Sequence, residues 1–495
     1  MKIYNVRLGK AMNSSSTHSL IFLDQLAGKA TDNRVGDKEF GWDFFTAASK
    51  EAKTDYLAMT IYANLNRIYP HDVAFAVTKE IFGFELEQDS YGVSGYVDHQ
   101  SEIALPRNWD EKNLNKQFIE EFQAYLIENE DLVILGGNDN TDSVHPLEPK
   151  GKDASLGMPL EGNAGLVARK DEEHGYWTLF NRNNGAKIRF SFERNAEVPD
   201  KASAPELVDL KITDFCPFNC EFCYMDSTLR GKHAPKQELD GVINQLSRMK
   251  VFEVALGGGE PTLHPEFMDI IRNLHYSNIV VNFTTKSLAW LKDPKQWTEI
   301  QKYAGGFAYS VETAQDIEEL MSLLVTNGLD QRSYGGRNFE SSVQHVVGVS
   351  SKYEFQEILK NAYQHRHKVR LTLLGFKTDG RGHTVKPQIS GKDAFAVLEK
   401  FVENNPYFRI GIDTALAREW DEILKARGIS NTLYHVEEGK HSMYVDAVEG
   451  FCAPASYGDG EQVPYAAKYT IWKRDSDRIS VDRKGATLQE AFKSF

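Results

Sequence analysis

From residue 207 onward the chain repeats one pattern: a short run of apolar and β-branched residues, a loop, then a stretch whose apolar residues recur every three or four positions. The runs ELVDLKITDF, FEVALGG, NIVVNFTT, GGFAYSVE, SSVQHVVGV and KVRLTLLGF read as strands. The stretches KQELDGVINQLSRM, HPEFMDIIRNLHY, TAQDIEELMSLLV and EFQEILKNAYQH read as helices between most of them. Parallel neighbours need a crossover connection, and a helix supplies it while covering one face of the sheet. Six such units fall short of a closed eight-strand barrel. The expected fold class is therefore α/β, a partial (β/α)6 TIM-like barrel with its reactive groups on the loops after the strands.

A chain of 495 residues exceeds one ordinary core, so further domains are expected around residues 207–390. Residues 1–147 combine strand-like openings (KIYNVRL, HSLIFL), a helical stretch FGWDFFTAASKEAKTDYLAMTIYANLNRIY, a second helix LNKQFIEEFQAYLIENE and a short strand DLVILGG. That mixture predicts a separate N-terminal α/β or α+β domain of unknown function, read as a substrate-recruiting or lid domain. Residues 148–206 open with the Gly-, Pro- and Lys-rich EPKGKDASLGMPLEGN, a linker, and continue as GLVARK, YWTLFNR and KIRFSFER, a small antiparallel meander. Residues 391–495 form a C-terminal extension expected to cap the barrel.

The chain has only four cysteines, and Cys216, Cys220 and Cys223 crowd into CPFNCEFCYMDS directly after the first barrel strand. Such crowding cannot build a disulfide framework, so reduced thiols and a cytoplasmic location are expected. The start MKIYNVRLGKAMNSSSTHSL does not have the pattern of a secretory signal, and no apolar run reaches the roughly 18 residues of a membrane span. A net charge of −14 argues against broad nucleic-acid binding, which relies on Lys and Arg to neutralise phosphates. The spacing C-x3-C-x2-C lets one loop wrap three thiolates around an iron–sulfur cluster, leaving one iron of a four-iron cluster open. The competing reading is zinc, with His233 or Cys452 as a fourth ligand, but only one C-x2-C pair exists.

The cysteine motif after the first strand, with GGGEP after the second, resembles the radical S-adenosylmethionine superfamily over about residues 207–385. The resemblance implies a single 4Fe-4S cluster held by Cys216, Cys220 and Cys223, with S-adenosylmethionine chelated to its open iron. Reductive cleavage then yields a 5′-deoxyadenosyl radical that abstracts a substrate hydrogen, with the electron coming from an external flavodoxin- or ferredoxin-like donor. It further implies that Phe222 lies against the adenine and that Gly257, Gly258, Gly259 and Glu260 form the cosubstrate-binding turn. Glycines allow close backbone approach, and the carboxylate is expected to accept from the cosubstrate's ammonium. Ser310 and Glu312, at the end of the fourth strand, are placed by the same resemblance near the ribose or carboxylate.

Lys377 and Arg381, in LGFKTDGRG after the sixth strand, are candidates to bind a carboxylate or phosphate, although lone charges are more often simply solvated, and His345 reads as a satisfied core histidine. The segments GIDTALAREW and SMYVDAVEGFCAP resemble the C-terminal extension of peptide-modifying members, yet Cys452 is the only cysteine there, too few for an auxiliary cluster. Cys452 reads by default as a small buried hydrophobe. His18, His71, His99 and His145 show no recognised ligand spacing. The function expected is hydrogen abstraction from a peptide or protein. The alternatives are the same chemistry on a nucleoside, nucleotide or other small metabolite, or a non-catalytic iron–sulfur or metal-binding module.

Overall fold

The computed structural model describes residues 2–7, 38–40, 45–67, 69–89, 92–97, 116–128, 134–136, 166–183, 185, 187–191, 200–326, 339–405, 408, 410–429, 434, 436–472 and 478–495. The reading of HSLIFL as a strand, the linker after residue 147, and His18, His99 and His145 lie outside them.

The N-terminal strand β1 (Lys2–Arg7) pairs with a meander of β2 (Leu166–Asp171), β3 (Tyr176–Asn181) and β4 (Lys187–Ser191), in the antiparallel order β1-β4-β3-β2. A strand near the start of the chain thus joins the meander across more than a hundred residues of intervening sequence. Three helices cover this sheet: α1 (Lys50–Asn66), α2 (His71–Phe82) and α3 (Lys116–Glu128). The first was expected to start further upstream. Instead Phe45–Ala47 is a short strand paired with Ile134–Gly136, and Ser49 caps α1 by accepting from the Ala52 amide at 3.1 Å.

Alternation along the meander decides what each face meets. Ala168, Trp177, Leu179, Ile188 and Phe190 pack with Ile61, Leu65, Ala74, Ile81 and Ile119 of the helices. The opposite face carries Val167 and Phe180, which pack on Phe252 and Val280, residues at the N-terminal ends of barrel strands. On that same face Lys187 and Arg189 enclose Glu206, just ahead of the first barrel strand: Glu206 is fully buried, with Arg189 Nη2 at 2.8 Å, Lys187 Nζ at 2.6 Å and Thr178 Oγ1 at 2.9 Å. The two cations offset the desolvation and hold the Glu206 carboxyl well below the usual range. The described N-terminal region therefore sits under the barrel.

The barrel strands are β5 (Leu207–Thr213), β6 (Glu253–Gly258), β7 (Val280–Thr285), β8 (Gly306–Ser310), β9 (Glu340–Val346) and β10 (Arg370–Leu374), all parallel and paired in sequence order. Their outward residues, such as Val254, Leu256, Val281, Phe283, Phe307, Val343 and Leu371, form one core with the flanking helices. Two features extend the expected six strands. Strand β11 (Ile410–Ile412) adds beside β10, and β12 (Ser442–Asp446) adds in parallel beside β5, followed by antiparallel β13 (Phe451–Ala453) and β14 (Val463–Pro464). The C-terminal extension is thus partly an edge of the same ten-stranded open sheet. Inward positions are polar where an all-apolar filling is the norm: Lys211 pairs with Asp446 at 2.9 Å and Asp214 at 2.5 Å, and Asn282 donates to Glu253 at 3.3 Å.

Candidate active site

The ends of six consecutive strands converge on one cavity. Its walls carry Cys216, Cys220, Phe222 and Cys223 after β5, Gly257 to Glu260 after β6, Thr285 and Lys286 after β7, Ser310 and Glu312 after β8, Gln344 on β9, and Lys377 after β10. Every residue expected to bind the cluster or cosubstrate lines it. The sheet must curve strongly to achieve this, and Arg381 closes the curve: from the loop after β10 it donates through Nε to the Cys220 carbonyl at 3.0 Å, and through Nη1 to Asp226 Oδ1 at 2.7 Å and the Ser227 carbonyl at 3.1 Å. Its amide bonds the Cys223 carbonyl at 3.0 Å. Arg381 is thus occupied as a clamp on the cysteine loop, which is neither the solvated charge nor the anion binder that the sequence offered as its two readings.

The glycine turn is dictated by the cysteine loop. The amides of Gly259 and Glu260 donate to the carbonyls of Thr213 and Phe215 at 2.7 and 2.8 Å. A Cβ on Gly258, whose φ is +117°, would lie 2.2 Å from the Thr213 oxygen, and one on Gly259 would lie 2.2 Å from the Phe215 oxygen. Gly257 differs, since a Cβ there would meet open space. Two of the three glycines therefore admit protein backbone, and the third keeps the cavity clear.

Glu260 is 1% exposed and its carboxylate is engaged by the protein itself. Thr262 Oγ1 and N donate to Oε1 at 2.5 and 3.2 Å, Thr285 Oγ1 donates at 2.7 Å, and the Lys286 amide donates to Oε2 at 2.9 Å. Burial raises its pKa even so, against the lowering effect of these bonds. This carboxylate ties the turn after β6 to the loop after β7, whereas the sequence suggested a free acceptor for an ammonium. Lys286, which sequence reasoning missed, reaches Cys220 Sγ at 3.4 Å and forms an ion pair with Glu312. Its position one residue past a barrel strand was the available signal.

Among the described residues the three thiols are free, and no three His, Cys, Asp or Glu side chains converge as a single-ion site. His233 bonds Thr213 Oγ1 through Nδ1 at 2.8 Å. Burial raises the Cys216 pKa.

Residues 210–381 match the family model described as the Radical SAM superfamily. This segment is a radical SAM domain. Curated relatives overlap it only in part. The chain is 33% identical over 87 residues to the mycofactocin maturase MftC of Mycobacterium ulcerans (strain Agy99), covering 17% of this chain and 23% of that protein. It is 26% identical over 163 residues to the PqqA peptide cyclase of Rhodopseudomonas palustris (strain ATCC BAA-98 / CGA009), covering 28% and 43%. It is 30% identical over 77 residues to the probable GTP 3′,8-cyclase of Pyrococcus abyssi (strain GE5 / Orsay), covering 15% and 25%. The chain thus spans less than half the length of each. The structure of Streptococcus suis SuiB bound to S-adenosylmethionine aligns with 60% of this chain and 84% of that chain, at 13% identity and a TM-score of 0.44.

Two other candidates resolve, one within the radical SAM domain and one beyond it. His345 is 1% exposed, with Nδ1 at 3.0 Å from the Val311 carbonyl and Nε2 at 3.0 Å from Ser350 Oγ, a satisfied core residue. Cys452 is fully buried in the apolar core on β13, and burial pushes its thiol up to about 12. Among the described residues no helix is long and apolar enough to cross a membrane.

Proposed function

We propose that this protein is a radical SAM enzyme whose Cys216, Cys220 and Cys223 hold a single 4Fe-4S cluster and whose cavity binds S-adenosylmethionine. The observation that carries the reading is that three free thiols, a glycine-lined opening and a polar wall line one cavity at the C-terminal ends of six strands. The donor set fits: one loop presents three soft ligands, and the side-chain-free Gly257 faces the space beside them. The chemistry such a cluster supplies is one electron into the sulfonium of S-adenosylmethionine, giving methionine and a 5′-deoxyadenosyl radical that takes a hydrogen atom from substrate.

The chain's own part is binding and enclosure. Phe222 offers an apolar ring for the adenine. Ser310 and the Lys286–Glu312 pair present polar groups to the ribose and the amino-acid moiety, and Lys286 adds positive charge beside Cys220. Glu260 orders the turn that meets the cosubstrate. Arg381 keeps the cysteine loop over the strand ends, which limits the access of water to the reacting atoms. An external one-electron donor of flavodoxin or ferredoxin type completes the reaction.

The substrate favoured is a peptide or protein, supported by the match to a peptide cyclase, which covers the largest share of the three curated relatives described above. A nucleotide or other small metabolite is the second reading, supported by the match to a GTP cyclase. The test is anaerobic reconstitution with iron and sulfide, then dithionite and S-adenosylmethionine, with 5′-deoxyadenosine quantified against a Cys220→Ala control. Product above the control is expected. A full, reducible cluster that yields no product, and whose electron paramagnetic resonance spectrum does not change on adding the cosubstrate, would leave only a non-catalytic module.

A further inference from the structure

Beside the cysteine cavity lies a larger one of 590 Å3, bounded by the loop after β10, the start of helix Thr414–Ala426 and the C-terminal segment from Glu437 to Gly460. One residue lines both cavities: Lys377. It is 7% exposed, and its Nζ sits 4.4 Å from the ring centroid of Tyr224 and 4.4 Å from that of Tyr457. Among the described residues this ammonium makes no hydrogen bond or ion pair. Two aromatic faces attract it without accepting its protons in the lone-pair sense, so its donors remain available to whatever enters. A buried ammonium in that state is costly unless an acceptor arrives.

The walls indicate which acceptor. Against the lowering effect of burial, Tyr224 first and then the carboxylates of Asp413, Glu438 and Asp209 lie close enough to raise the Lys377 pKa. Among the described residues none of the three carboxylates forms an ion pair with the ammonium. Asp413 Oδ1 is taken up by the amides of Gly375 and Leu416, both at 2.8 Å, and Glu438 Oε1 accepts from Tyr457 at 3.1 Å. A phosphate carrying roughly two charges would meet these carboxylates with only Lys377 buried beside it, since a second lining cation, Arg418, is exposed and donates through Nε to the Val436 carbonyl at 2.8 Å. A single negative charge matches better. At the outer wall Lys440 is already paired with Asp200 and Glu437.

Resting on the radical SAM reading above, we infer that this second cavity is the substrate site and that Lys377 anchors a substrate carboxylate at the wall shared with the cosubstrate. The anchor would place the carbons next to that carboxylate nearest the radical's origin. The carboxylate belongs either to an acidic residue or C-terminus of a peptide or to a small carboxylic acid.

Binding to the full chain is measured by saturation-transfer NMR with N-acetyl-glutamate amide, its neutral isostere N-acetyl-glutamine amide, glutarate, and a Glu-containing hexapeptide with blocked ends, each up to roughly 10 mM, the range of weak fragments. Expected are binding of the acidic probes over the neutral isostere, at least tenfold weakening in Lys377→Met, and retention within about threefold in Lys377→Arg, which keeps the charge. Tighter binding of the hexapeptide would assign a peptide source, and tighter binding of glutarate a small acid. No binding of any acidic probe, equal binding of the neutral isostere, or unchanged binding in Lys377→Met would overturn the inference. Circular dichroism and iron content are read for each variant. Carboxylate binding lost with the cluster intact counts against this site alone, and a missing cluster with carboxylate binding intact counts against the radical SAM reading alone.

Discussion

The three adjacent glycines after β6 do different work, and substitution separates them. Gly257→Val points a side chain into open cavity, so the fold should survive while S-adenosylmethionine binding falls tenfold or more, read by equilibrium binding on reconstituted protein. Gly259→Ala drives a methyl into the Phe215 carbonyl and should instead lower thermal stability and iron content together. Loss of binding in neither variant would exclude the turn from the site. Glu438 belongs to the same scale. Burial, with Asp209 and Asp413 nearby and only Lys377 and the Tyr457 hydroxyl in opposition, raises its pKa from the ordinary 4.5 to about 7. Between those values the folded chain holds a proton that the unfolded chain has released, so stability falls as pH rises through the window and levels off above about 7. Glu438→Gln should remove that fall, a difference of about 2 kcal/mol by pH 8 after allowance for the side chain's partial exposure. Urea unfolding of the reduced, metal-free chain at pH 5, 6, 7 and 8 measures it, and parallel pH profiles for wild type and variant would refute it.

At the scale of elements, two contacts hold the site's geometry without touching a ligand. Arg381 joins the loop after the last core strand to the loop after the first, so Arg381→Ala should leave secondary structure intact but speed iron loss to a chelator several-fold. Arg381→Lys should rescue it only in part, because an ammonium cannot span the Cys220 carbonyl, Asp226 and the Ser227 carbonyl as the guanidinium fork does. An unchanged rate of iron release in Arg381→Ala would show that the clamp is idle. At the opposite end, Glu206→Gln leaves Lys187 and Arg189 buried beside a neutral amide and should cost about 3–5 kcal/mol. The denaturant midpoint checks it.

The expectation for these elements came from periodicity, and the outcome shows its reach. The six core strands were legible because parallel strands covered by helices need apolar residues on their outer faces, as at Val254, Leu256, Val281 and Phe283. One crossover helix, Pro294–Tyr303, was missed although Asp293 followed by Pro294 is a cap-and-start signature: Asp293 Oδ1 accepts from the Lys295 amide at 2.9 Å. Its polar sequence, PKQWTEIQKY, buries only Trp297, Ile300 and Tyr303, which is too sparse a stripe to stand out. Lys286 was missed for another reason: a lone lysine after a strand is chemically silent until folding brings Cys220 and Glu312 beside it.

For the whole molecule, the layering of helices, meander and barrel predicts mutual dependence. Removing residues 1–199 would uncover Phe252 and Val280 and strip Glu206 of both cations, so the remaining chain should aggregate or melt well below the full protein. A truncated chain that melts at the same temperature would mean the layers are energetically separate. The described N-terminal layer lies at the strand N-termini, across the barrel from the cysteine cavity.

The sequence by itself determined the alternating strand–helix order, the grouping of three thiols on one loop, and the glycine-rich turn one unit later, because each is a local property of spacing and residue type. Only the tertiary structure decided which groups those elements serve. Glu260 and Arg381 are ionic residues whose partners lie up to 161 positions away, and Lys377 becomes a junction between two cavities only when Tyr224 of the cysteine loop and Tyr457 of the C-terminal extension close on it. Charge is visible in a sequence. What neutralises it, and what it is left to bind, depends on distances that exist only after the chain has folded.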